Sequence, residues 1–267
     1  MLGLPRKELR FWAVRTKISG AIVLFAFVRS RPTAMSKHLQ RDIDSLNTEL
    51  LNISSMVEDM IDKATQALAE RRYDLADEVV KADEYVDAHE VHVEEECLKM
   101  LALHQPVAVD LRRIATVMKV NNDLERIADL AVSIAQRAQA VDEFPAFKIP
   151  EGVSQMVVLT TQMVRGAMNA FVNMDTTAAR RMIAMDKSVD EYNRDIINEL
   201  QTLMQTRPET VPPALHCFSA VRHLERIADH ATNIAEDVIY LAEGDIVRHR
   251  HEIENSSEDQ TTVPRHG

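Results

Sequence analysis

The residues best placed to do chemistry in this sequence are carboxylates that recur at one spacing. Glu125 and Asp129 stand four apart, as do Glu225 and Asp229, each pair inside the same six residues, Leu-Glu-Arg-Ile-Ala-Asp, at 124–129 and 224–229. Two further pairs at that spacing, Asp83 with Asp87 and Asp186 with Asp190, precede them. On a helix the two acids of a pair share a face and lie about 6 Å apart along the axis. The pairs also interrupt stripes that are otherwise largely apolar: Leu111, Ile114, Met118, Asn122, Glu125, Asp129, Val132 in one helix and Ile183, Asp186, Asp190, Asn193, Ile197, Leu200, Met204 in another. Two pairs facing each other would gather four carboxylates, which cannot all stay ionised and unpaired away from water. A divalent or trivalent cation resolves that conflict. Hard oxygen donors in this number suit magnesium, calcium, manganese or iron, with zinc also accommodated. A single acidic pair is ordinarily solvated surface, and Arg126 and Arg226 stand ready to neutralise their neighbours. Repetition on matched helices is what favours metal.

The elements that must position these acids repeat as well. The match continues through Ala131 and Ala231, Ile134 and Ile234, and Ala135 and Ala235, so one supersecondary unit occurs twice. Six glycines, nine prolines and 4% aromatic residues indicate long helices and few turns. In the first helix, at 38–70, apolar residues recur at helical spacing: Leu46, Leu50, Ile53, Val57, Met60, Ile61, Ala64 and Leu68. A second helix follows to about 103, with Asp74 read as its cap, and a third spans 109–140. The stretch 142–150 carries Pro145 and Pro150 and no periodicity, which marks the boundary between halves. Helices at 151–172, 176–205 and up to about 242 repeat the order. The expectation is an all-α fold of two tandem antiparallel three-helix bundles, 35–142 and 151–244, joined by a linker at 143–150. Residues 245–267 are read as a polar tail.

Several function classes are excluded. The glycines lie too far apart to write a P-loop or a G-x-G-x-x-G turn. A net charge of −11 opposes direct binding to nucleic acid. Cys97 and Cys217 form no C-x-x-C pair and suit a reducing cytoplasm as buried small hydrophobes. Residues 1–34 differ from the rest, with seven basic residues and one acid. Their apolar run at 18–28 is too short for an ordinary membrane span, and Arg29 and Arg31 replace a clean cleavage site. They are read as an extension upstream of a natural start at Met35, with no stable membrane insertion. His89 and His92 lie near Asp87, but Tyr192 and Asp195 take their places in the second half, so an exposed face is expected for them. The tract Arg248-His249-Arg250-His251 receives no role, and the thirteen methionines are read as packing.

The sequence resembles the PhoU family of phosphate-uptake regulators. The resemblance rests on Gln105-Pro106-Val107-Ala108-Val109-Asp110-Leu111-Arg112-Arg113, on the doubled Leu-Glu-Arg-Ile-Ala-Asp stretch, and on its continuation Asn233-Ile234-Ala235-Glu236. The ending Val238-Ile239-Tyr240-Leu241-Ala242-Glu243-Gly244 is also similar, and coverage runs from 35 to about 249. Such proteins are paired three-helix bundles whose E/D-x-x-x-D motifs hold metal clusters at the bundle surface, which implies shallower sites than the stripes alone suggest. The motif carries over to Asp83, Asp87, Glu125, Asp129, Asp186, Asp190, Glu225 and Asp229. Ala128 and Ala228 stand where the family commonly has glycine. The resemblance implies a cytoplasmic, often dimeric, negative regulator that couples a phosphate ABC transporter to a sensor histidine kinase, and no catalytic residue.

Two other readings compete. A di-metal carboxylate oxidase or metal-storage bundle would carry Glu-x-x-His on two helices, whereas Ala128 and Ala228 follow Glu125 and Glu225 by three. A purely structural helical protein with solvated acids would bind no metal tightly.

Overall fold

Apolar residues at steps of three and four should wind this chain into long amphipathic helices, and a computed structural model shows six of them. The structure describes the backbone of residues 12–18 and 21–27, and residues 37–244 apart from the side chain of Tyr73. Helix α1, Lys37–Glu70, buries all eight apolar residues that define its stripe, together with Leu39 and Ile43. It ends at Arg71, which adopts a left-handed φ of 59°. Helix α2, Tyr73–His104, then starts at once with Arg72 as its N-cap. Asp74 is therefore not the cap. It lies in the first turn, where a negative charge complements the helix dipole, and it pairs with the Arg72 guanidinium.

Gln105 closes α2 in the left-handed conformation, its N–H donating to the Leu101 carbonyl at 3.2 Å. After Pro106, helix α3 runs Val109–Asp142. The linker that follows is clamped from the far end of the first helix pair. Arg71 reaches Asp142 Oδ1 at 3.4 Å and donates to the carbonyls of Phe144 at 3.1 Å and Phe147 at 2.8 Å. Helix α4, Gly152–Asn173, ends at Met174, and Asp175 caps α5, Thr176–Thr206, by accepting from the N–H groups of Thr177 and Ala178. A short 3-10 turn, Pro208–Thr210, leads into α6, Val211–Glu243. Gly244 stops α6 with a φ of +81°, a conformation that favours glycine, and an added Cβ would meet Arg112 Nη1 at 2.9 Å.

Helix α2 packs on α3, α5 on α6, and α4 on both α5 and α6. Helix α1 is tied to α2 by Lys63–Glu78 and His104–Asp42 contacts and to α4 by Arg165–Glu58 at 2.7 Å. The halves meet along α3 and α6, which run antiparallel. Lys119 Nζ lies 3.0 Å from Asp237 Oδ1, His230 Nδ1 lies 2.9 Å from Asp123 Oδ1, and Arg112 reaches the Tyr240 carbonyl at 3.4 Å. The compact unit that begins at Leu39 is not divided at the linker.

A second unit, Met1–His38, contains the remaining described segment. There β1, Trp12–Ile18, pairs antiparallel with β2, Ala21–Phe27, from Trp12 opposite Phe27 to Ile18 opposite Ala21. Strands were not expected in this stretch. The short apolar run at 18–28 is rich in branched and aromatic residues, which fit a strand as well as a helix of that length. Residues 245–267, with the Arg248–His251 tract, lie outside the described residues, as do Met35 and the ends of the 1–34 extension. Among the described residues no helix is long and apolar enough to cross a membrane.

Candidate functional site

The helix pairs α2·α3 and α5·α6 bring the predicted acids together four by four. Asp83 and Asp87 of α2 adjoin Glu125 and Asp129 of α3, so that burial, then Asp87, then Asp129 push the Asp83 carboxyl from its ordinary 3.8 up to about 6. Asp186 of α5 behaves alike: burial, then Asp190, then Asp229 push it to about 6. Glu125 is raised by burial and then by Asp129, against the pull of Arg126. Burial raises Glu225 and Asp229 too, helped by Asp229 in the first case and by Asp190 in the second. Each cluster is thus short of positive charge.

Depth is divided evenly. In each pair one acid is half-buried (Asp83, Glu125, Asp186, Glu225) and the other exposed (Asp87, Asp129, Asp190, Asp229). The stripe carrying the acids is therefore the border of the buried face and not its centre. In α3 the centre is Val117, Leu124, Ile127, Ala131 and Ile134, all buried, while of the acid stripe Ile114 is buried and Leu111 exposed. A helix face wide enough to meet two neighbours takes its edge residues only partly out of water, so the acids sit in shallow seams.

The compensating cations differ between the halves. In the first, Arg126 pairs with Glu125 at 3.3 Å and with Asp129 at 3.5 Å. In the second, Arg222 takes Glu225 Oε1 at 2.9 Å, and Arg226 forms no ion pair among the described residues. Glu90 was missed by sequence reasoning. It follows Asp87 by three on the same face, and burial and the charges of Glu94 and Asp87 raise its carboxyl. Its counterpart is the buried Asn193. His92 turns away from the acids to Glu49, at 3.5 Å, and His89 is exposed.

Metal fits these residues by donor chemistry. Buried oxygens of Asp83 (Oδ1) and Glu225 (Oε2) have no hydrogen-bond partner, as an anion awaiting a cation would not. The donors are hard oxygens throughout, suited to iron, manganese, zinc or magnesium. Among the described residues no three acidic, histidine or cysteine groups converge closely enough to hold an ion as they stand, so loading would require side-chain rotation. Ala128 and Ala228, fully buried, follow the glutamates by three and provide no imidazole.

The raised carboxyls have a measurable consequence. A carboxyl with a folded pKa above its unfolded value stabilises the fold fully below the unfolded value, and that contribution is lost as pH rises through the folded one. In chelator, lowering the pH from 7 to 5 across the Asp83 and Asp186 titrations near 6 is expected to raise the melting temperature. Asp83→Asn/Asp186→Asn should flatten that rise. A melting temperature that falls over this window in the parent would contradict the clusters' electrostatics.

Fold and site together define a tandem duplication, two three-helix units each carrying four acids on the seam between its second and third helices. The PhoU domain profile matches twice, over residues 50–138 and 153–238. The chain belongs to the PhoU family. It is 39% identical over 213 residues to the phosphate-specific transport system accessory protein PhoU homolog of Aquifex aeolicus, covering 80% of this chain and 96% of that one. The phosphate-specific transport system accessory protein PhoU of Escherichia coli is 32% identical over 221 residues, covering 80% of this chain and 91% of its own. The crystal structure of PhoU from Pseudomonas aeruginosa superposes with a TM-score of 0.74 at 35% identity, over 78% of this chain and 100% of that one. The phosphate transport system regulatory protein PhoU from Streptococcus pneumoniae gives the same TM-score at 27% identity, over 78% of this chain and 99% of its own.

Proposed function

We propose that this protein is a negative regulator of phosphate uptake and of phosphate-starvation signalling, an adaptor between a phosphate ABC transporter and a sensor histidine kinase. Its eight paired carboxylates hold divalent or trivalent metal ions, and it acts in the cytoplasm as a homodimer. The observation that carries the reading is the doubled, charge-deficient acid cluster within a PhoU-family fold whose relatives are transport accessory proteins. Asp83, Asp87, Glu125 and Asp129 would hold metal in one half, and Asp186, Asp190, Glu225 and Asp229 in the other. Metal there would neutralise the seam and lock α2 to α3 and α5 to α6, fixing the surface offered to a partner. With no described helix able to cross a membrane, contact with a transporter would be made by docking.

Deleting the gene and following a phosphate-starvation reporter in abundant phosphate tests this. The reporter is expected to be on in the deletion strain and off again once the intact gene is returned. Unchanged repression in the deletion strain would rule out the regulator.

A further inference from the structure

Because α3 and α6 meet antiparallel and are copies of one helix, each position at one end of their seam has a counterpart at the other. At one end two acids are matched by bases, Asp237 by Lys119 at 3.0 Å and Asp123 by His230 at 2.9 Å. In the aligned repeat Arg137 stands where Asp237 does, His223 where Asp123 does, and Ser219 where Lys119 does. The second end therefore offers a guanidinium and an imidazole where the first has its two carboxylates, and a hydroxyl where the first has its lysine. Two of these donors lack acceptors. Arg137 Nε and His223 Nδ1 are both buried without a hydrogen-bond partner, and among the described residues Arg137 makes no ion pair.

Ser219 Oγ lies 3.3 Å from His223 Nε2. A serine hydroxyl donating there leaves the ring proton on Nδ1, the very atom without a partner. Arg137 and Arg226 stand close enough that, after burial, their charges help to hold the His223 pKa below its ordinary value. Arg226 is exposed and Arg137 and His223 half-buried, so the cluster opens to solvent. Asp229, which also feels Arg226, belongs to the second acid cluster.

We propose that Arg137, His223 and Arg226, with Ser219 holding the imidazole so that its Nδ1–H is free, form a binding site for a phosphate group, taken up as inorganic phosphate. A buried donor with no acceptor is costly, and an oxyanion removes that cost at two atoms at once. The Arg137 guanidinium, the His223 Nδ1–H and the nearby Arg226 charge point to an oxyanion of more than one negative charge with several accepting oxygens, more than to a singly charged carboxylate. The site does not depend on the metal reading of the carboxylates, and its test is run without metal.

Full-length protein, stripped with chelator so that metal cannot recruit the anion, would be dialysed to equilibrium against radiolabelled orthophosphate. Saturable uptake of one ion per chain is expected. Arg137→Gln should weaken it by about tenfold or more, the loss expected of a charge-assisted fork. Arg137→Lys, which keeps the charge without the fork, should fall between, and it preserves the test if the glutamine variant fails to fold by circular dichroism. Exposed Lys81→Gln on α2 should leave binding unchanged. No saturable binding by the parent, or equal binding by folded Arg137→Gln protein, would overturn the site. Phenyl phosphate, run in parallel, should bind more weakly than orthophosphate. The reverse order would overturn the free ion as ligand and assign the same donors to a phosphoryl group on a larger molecule.

Discussion

Purified without chelator or affinity-tag metal, the Glu225→Ala/Asp229→Ala protein is expected to lose the metal of its second half and keep that of its first. Elemental analysis of parent and variant reads this directly. The asymmetry of the expected loss follows from the architecture. Each cluster draws its acids from one helix pair, α2·α3 or α5·α6, so removing two donors from α6 leaves the other four untouched. Removing Glu225 also breaks its ion pair with Arg222 at 2.9 Å. The folded state should survive. Both side chains lie at the border of the buried face, and Asp229 is exposed, so no cavity of consequence opens. Metal absent from both proteins, even after manganese, iron and zinc have been offered, would dispose of the metal reading and leave the regulatory one resting on family membership.

Ala228→Leu is expected to destabilise the fold by about 2 kcal/mol or more, the range for forcing extra carbons into a packed interior. Ala228 is fully buried, three residues after Glu225 and next to Asp229, on the part of α6 nearest the acid seam. A leucine there has no room unless a neighbouring helix shifts away. Such a shift would separate the acids of α5 from those of α6, so metal binding in the second half should fall along with stability. Ala228→Gly gives the contrasting result: a loss of about 1 kcal/mol from helix propensity alone, with the seam intact. Urea denaturation of the three proteins measures both. Equal midpoints for Ala228→Leu and the parent would show that α6 is not closely packed at this point.

The helices and the grouping of the acids were legible in the sequence because both obey the single-helix period of 3.6 residues. All eight apolar markers of α1 are buried, and the four pairs fall on facing helices as their repetition implied. What escaped depends on register between helices, which a period cannot supply. Arg126 and Arg226 are identical in the repeat, yet Arg126 pairs with its neighbours while Arg222 serves the second half. Glu90 lay on the face of Asp87 and Asp83 and could have been found by extending that face one more step. Depth was misjudged because a stripe of mixed residues looks alike at the centre and at the edge of a broad buried face. The hold of Arg71 on two linker carbonyls leaves no trace in spacing at all. Neither does the seam of α3 and α6, since each helix reads as an ordinary amphipathic element and only their pairing places Lys119 against Asp237. The hairpin at 12–27 was hidden by the ambiguity of a short apolar run.

That seam sets an order of assembly. Each acid cluster lies within two consecutive helices and is completed by a local helical hairpin, a short loop closure that small chains make quickly. The contacts of α3 with α6 span far more chain, 107 residues for His230 with Asp123 and 118 for Lys119 with Asp237. During synthesis α2 and α3 are finished long before α6 leaves the ribosome, so the first cluster is assembled on a half-made protein. The joining of the halves is the last event, when Asp237 first becomes available to cover Lys119. Until then the α6-facing side of α3, with Arg112, Lys119 and Asp123, stands open to water and to the cell's chaperones.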